Sequence, residues 1–163
     1  MFIEMTITAL AIDPFTNSPV VILKDKDEKN TLPIWIGPLE ASAIAMEMEG
    51  IEFARPMTHD LMCDILGKLE VKVEKVMITD LADNTYYARI ILFSGEKEFV
   101  IDARPSDSMA IALRTKSPIY VDEKVLEASK QIEVGEKLDL SDEEKLKDLL
   151  ENLDPESFGK YKM

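Results

Sequence analysis

The sequence has one cysteine, Cys63, so no internal disulfide framework can form, and the chain suits a reducing cytoplasm. No apolar run approaches the roughly 20 residues that a membrane-spanning helix needs, so no membrane partner is expected. The first residues, MFIEMTITALAID, hold acids at Glu4 and Asp13 and no early basic residue, unlike a secretory leader. A Gly-rich phosphate loop, a Gly-x-Ser-x-Gly elbow, a paired-cysteine zinc motif and His-Glu-x-x-His are all missing. Their absence excludes the best-marked nucleotide-binding, serine-hydrolase and zinc-protease chemistries, and no organic cofactor is expected. Arginine is scarce. Among 19 basic residues only Arg55, Arg89, Arg104 and Arg114 are arginine, and His59 is the single histidine.

What the chain does have is acid and apolar surface. With 163 residues and 46% hydrophobic content it can bury a proper core. Its net charge of −13 repels nucleic acid in general, so any phosphate contact needs a local basic spot or a bound cation.

Alternation of apolar residues over 2–12 predicts a half-buried strand, followed by strands in PVVILKD and TLPIWI. Gly37-Pro38 opens a helix that Gly50 closes. Thr58 caps a second helix, HDLMCDILGKL, in which Cys63 reads as a packed thiol. Strands are expected over 70–80, 85–94 and in EKEFVID, then a helix to about Lys116, a short strand PIYV and a helix DEKVLEASK. Trp35 reads as a core anchor at a strand end. Residues 1–134 form one expected domain. Residues 135–163, with nine acids, five bases and the amphipathic stretch SDEEKLKDLLENL, form a helical acidic appendage.

The two halves resemble each other. PLEASAIAME from Pro38 and PSDSMAIALR from Pro105 align without gaps, and each follows about three strands. Consecutive strands are joined by hairpins, so the expected fold is α+β, an antiparallel or mixed sheet built from two strand-strand-strand-helix halves.

Chemistry concentrates at the helix starts. Ala-Arg-Pro occurs at 54–56 and again at 103–105, each followed by a capping-type residue and an acid. Arginine grips phosphate or carboxylate in bidentate fashion, and a helix start adds N–H donors, so the two turns make an expected anion site. Arg55 and Arg104, with Glu40, are the expected substrate-binding residues. His59, Asp60, Asp102 and Asp107 are the expected catalytic ones, histidine being the side chain that changes charge near neutral pH. Asp102 and Asp107 are candidate ligands for Mg²⁺ or Mn²⁺, with Glu40 or Asp60 as helpers. The competing structural reading has Ser106 and Thr58 capping helices and Arg104 pairing with Asp102.

LPIWIGPLEASAIAMEMEG, RPMTHDLM, DARPSDSMAIALR and SPIYV, in this order and spacing, resemble the bifunctional nuclease domain across roughly residues 2–130. The resemblance implies a compact α+β domain and nuclease activity on DNA and RNA with little sequence preference, so nucleic acid is the implied partner. A metal-assisted phosphodiesterase is the expected function. The alternative is a non-enzymatic module that binds a protein or a small anionic ligand through the same turns. A homodimer is expected from the frequency of C₂ pairing among small domains with open strand edges.

Overall fold

The computed structural model describes residues 1–130. In chain order the elements are β1 (Phe2–Ile12), β2 (Pro19–Asp25), β3 (Thr31–Trp35), α1 (Pro38–Met48), α2 (Thr58–Lys68), β4 (Val71–Ala82), β5 (Thr85–Ser94), β6 (Lys97–Ala103), α3 (Pro105–Thr115), β7 (Ile119–Asp122) and α4 (Glu123–Lys130). The expected α+β class and both strand-strand-strand-helix runs are present. The appendage expected over 135–163 lies outside the described residues.

All seven strands join one sheet in the order β3-β2-β1-β7-β4-β5-β6. β1–β2–β3 and β4–β5–β6 are two antiparallel meanders. The short β7 lies between them, antiparallel to β1 and parallel to β4. One parallel pairing makes the sheet mixed. The halves therefore run outward from a shared central strand.

The sheet also curls. The Tyr86 hydroxyl, on β5, donates to the Pro33 carbonyl of edge strand β3 at 3.2 Å, although four strands separate them in sheet order. Burial there pushes the Tyr86 pKa up to about 12. The concave interior holds the core, with Val21, Leu23, Ile34, Val76, Ile78 and Val121 from the strands and Ile44, Met109 and Ile111 from the helices. The matched Ala-Ile-Ala triplets supply Ile44 and Ile111, so the repeat in the sequence is a repeat in core packing.

Proline sets both repeated helix starts. Pro38 and Pro105 occupy the first helical position, where a missing N–H costs nothing and φ is already helical. Glu40 and Asp107 thereby become equivalent third residues. Gly50, at φ +66°, ends α1. Its N–H donates to Glu47 O at 3.2 Å and the Ile51 N–H to Met46 O at 2.9 Å, the paired bonds of a left-handed helix stop. Two capping expectations are corrected. Because Pro105 takes the first position, Arg104 becomes the N-cap and Ser106 lies inside the helix, buried. Thr58 is likewise already helical, after Met57, whose N–H donates to Asp60 Oδ2 at 3.0 Å.

Trp35 is half-buried and hydrogen-bonded. Its indole N–H donates to Asp13 Oδ2 at 2.8 Å, while Asp13 Oδ1 accepts the N–H of Phe15 at 2.9 Å. The Phe15 N–H first and the indole second hold the Asp13 carboxyl below its ordinary range, outweighing the opposing effect of burial. A depressed folded pKa stabilises the fold above the unfolded value, near 3.9, and that contribution disappears as pH falls through the folded value. Unfolding followed by Trp35 fluorescence is therefore expected to show a loss of stability below about pH 4 that is smaller in Asp13→Asn. Equal acid sensitivity in both proteins would remove Asp13 from the account.

Candidate active site

Three helices meet beside the sheet. α3 presents Asp107 and Arg114, two turns apart and so on one face. The first turn of α2 lies across that face and brings a partner to each. His59 Nε2 is 3.0 Å from Asp107 Oδ1, and Arg114 Nε donates to Asp60 Oδ1 at 2.6 Å. Adjacent residues of α2 thus serve two different partners. α2 contributes no fully buried residue, so these polar contacts matter to its seating.

The Arg114–Asp60 pair is structural. The Arg114 side chain is only 8% exposed. Its Nη1 donates to Ala110 O at 2.9 Å and its Nη2 to Ala43 O at 3.0 Å, so one guanidinium ties α1, α2 and α3 together. Burial opposes ionisation of Asp60, but the hydrogen bonds from Arg114 and the Met57 N–H prevail and lower its pKa. Sequence reasoning counted Arg114 without giving it a role. Its spacing from Asp107 was the available signal.

The Arg104–Asp107–His59 group is more open. Arg104 Nε and Nη2 grip Asp107 side-on, at 2.7 Å to Oδ2 and 3.1 Å to Oδ1. Its Nη1 donates to Glu40 Oε1 at 2.8 Å, so Arg104 bridges the equivalent acids of the two repeated helices. Glu40 folds back over Gly37, where a Cβ would collide with its carboxylate. Arg104 is nevertheless 64% exposed, and only three of its five N–H groups are used within the described residues. Two donors remain for an incoming anion. The Asp107 bonds also raise the Arg104 pKa, with Glu40 adding to them. Burial works against the Asp107 carboxylate, but the bonds from Arg104 and His59 keep its pKa low, so it stays charged. A charged Asp107 favours the tautomer with the proton on His59 Nε2. In the neutral ring of that tautomer the lone pair is on Nδ1, which makes no hydrogen bond among the described residues.

This group lines a cleft of about 520 Å³ that includes Glu40, His59, Arg104, Asp107 and Arg114, with Leu39, Ala43, Met46, Met57 and Met62 as its apolar wall. Of the residues expected from sequence, the structure assembles Glu40, His59, Arg104 and Asp107, with Asp60 one pair away. It does not bring Arg55 or Asp102 to the cleft. Arg55 lies exposed in the irregular segment before α2, because that helix begins two residues after Pro56 rather than at it. Asp102 lies on β6 opposite Arg89, and Arg104 turns instead to Asp107 and Glu40.

The residues do not fit a resident divalent ion as arranged. Both Asp107 oxygens and Glu40 Oε1 already accept from Arg104, and the described residues hold no group of three His, Cys, Asp or Glu placed to bind a metal. Among the same residues no helix is long and apolar enough to cross a membrane.

Comparison with known proteins gives a consistent result. A model of the bifunctional nuclease domain matches residues 21–134. An uncharacterised protein of Mycobacterium tuberculosis is 37% identical over 164 residues, covering 95% of this chain and 97% of that protein. Bifunctional nuclease 1 of Arabidopsis thaliana is 30% identical over 107 residues, 63% of this chain and 33% of that protein. Bifunctional nuclease 1 of Oryza sativa subsp. japonica is 28% identical over 109 residues, 64% of this chain and 33% of that protein. The chain spans about a third of the length of the plant nucleases it matches. Every residue of the cleft lies within the matched segment.

Proposed function

The chain belongs to the bifunctional nuclease domain family, and on that premise we propose that it hydrolyses phosphodiester bonds of DNA and RNA at His59, Asp107 and Arg104. The observation behind this reading is the His59–Asp107 pair at 3.0 Å beside an exposed arginine with two unused donors. His59 Nδ1 takes a proton from the attacking water, and Asp107 orients the ring and stabilises the imidazolium that forms. The water oxygen bonds to phosphorus, the bond to the leaving oxygen breaks, and the proton passes to that oxygen. The free N–H groups of Arg104 hold the non-bridging oxygens as charge builds on them. No resident metal enters these steps. Mg²⁺ or Mn²⁺ belongs to the proposal as a counter-ion that accompanies the strand to a protein of net charge −13.

The test uses single-stranded DNA and RNA oligonucleotides with highly purified full chain, in chelator, Mg²⁺ or Mn²⁺. His59→Ala prepared in parallel controls for contaminating nuclease. Cleavage by the parent alone is expected. Equal cleavage by both preparations would end the proposal, and binding without turnover would favour the non-enzymatic anion-binding module.

A further inference from the structure

The cleft that holds the charged group also has an apolar lining. Met46, Met57 and Met62 line it with Leu39. Leu39 is 75% exposed at the second position of α1, where its side chain is left to water beside an ion-pair group. Met62, on α2, is also exposed. Apolar side chains and an anion-gripping arginine in one cleft match the two ends of a nucleotide.

We infer that the cleft seats one unpaired nucleotide, its base against Met46, Met57, Met62 and Leu39 and its phosphate at Arg104, so that the strand is cut where it is unpaired. This inference rests on the nuclease reading and adds to it the state of the substrate and the residues that select it. The volume of about 520 Å³ is that of a small-ligand cleft. A base inside a duplex is stacked on its neighbours and reaches such a cleft only by being flipped out, at an unstacking cost that an unpaired base escapes. Charge points the same way. An acidic surface with one exposed arginine at the site gains little from counterion release, so contact with the base must supply much of the affinity. Thioether side chains are polarizable and adaptable, which suits all bases. Hydrogen-bonding groups that could read a base edge are few on this wall. Ser42 Oγ already donates to Pro38 O at 2.9 Å and can only accept, so Thr58 is the one lining hydroxyl with a donor left among the described residues. Little sequence preference follows from such a wall.

Two measurements on the full chain test the inference and separate its failure from that of the nuclease reading. The first compares cleavage of one oligonucleotide as a single strand and as a perfect duplex, at several salt concentrations. The single strand is expected to be cut at least about tenfold faster, with a shallow salt dependence. Met62→Ala is expected to raise KM by roughly threefold to tenfold with kcat little changed, since the wall binds base without touching the reacting atoms. The second measurement follows the methionine methyl groups by NMR, assigned through Met→Leu variants. A thymidine trinucleotide is expected to shift Met46, Met57 and Met62, and ribose 5-phosphate, which has no base, is not. Shifts without cleavage would keep the nucleotide site and end the nuclease reading. Equal cleavage of single strand and duplex, or methyl groups indifferent to the trinucleotide, would overturn the inference.

Discussion

Arg114→Ala is expected to lower the stability of the fold by about 3 kcal/mol, because a buried arginine is removed from a carboxylate whose only Lys or Arg partner among the described residues it is. Its guanidinium holds Asp60 at 2.6 Å and also satisfies carbonyls on α1 and α3. Asp60 is a third exposed, so water relieves part of the penalty, and the loss sits at the low end for a broken buried pair. The lost packing of the long side chain adds to it. In a chain of 163 residues this corresponds to a fall in Tm of roughly 6–12 °C. Arg114→Lys keeps the charge but loses the planar fork that reaches three helices, so an intermediate fall is expected. Adding Asp60→Asn to Arg114→Ala separates the two causes. The amide can still accept the Met57 N–H but carries no unpaired charge, so the double variant is expected to regain part of the loss. Thermal unfolding of the set measures this. A parent-like Tm for Arg114→Ala would mean that α2 is seated by something other than this arginine.

The legibility of this site differs from residue to residue. The helix starts were readable because proline has one place at a helix start, and that alone put Glu40 and Asp107 in equivalent positions. Partner choice was not readable. Arg104 looks local to Asp102, but as the N-cap of α3 its side chain runs with the helix to the third residue and across to α1. Ala-Arg-Pro occurs twice with two outcomes, because the first copy ends before its helix begins and leaves Arg55 outside the cleft. The strands of both meanders were readable from alternation and turn residues. The position of β7 was not. Four residues carry no signal for their neighbours, and its parallel pairing with β4 needs the chain to return through β5, β6 and α3. The central strand of the sheet is thus one of the shortest and the least specified locally.

The second large effect concerns rate. His59→Ala and Arg104→Ala are each expected to slow hydrolysis by about 10²–10⁴-fold, the range for a lost general base or a lost oxyanion contact. The effect of Arg104→Ala on stability should be small, and that of His59→Ala, which removes one of the contacts that seat α2, larger. Arg104 is 64% exposed, and exposed pairs contribute about 0–1 kcal/mol each, so a change in Tm of only a few degrees follows. Its removal does not strand Asp107, which is still bonded to His59. Asp107→Asn is the companion. It keeps the size of the side chain, but it no longer holds the proton on Nε2 by charge, and its NH₂ group cannot accept from Arg104. A rate loss in the same range is expected, and combining Asp107→Asn with His59→Ala should cost little more than either alone, because the pair acts as a unit. Rates and unfolding are measured on the same preparations. If Tm falls steeply in all three single variants and the residual rate follows the folded fraction, the group is a brace between α1, α2 and α3, and the chemistry lies elsewhere.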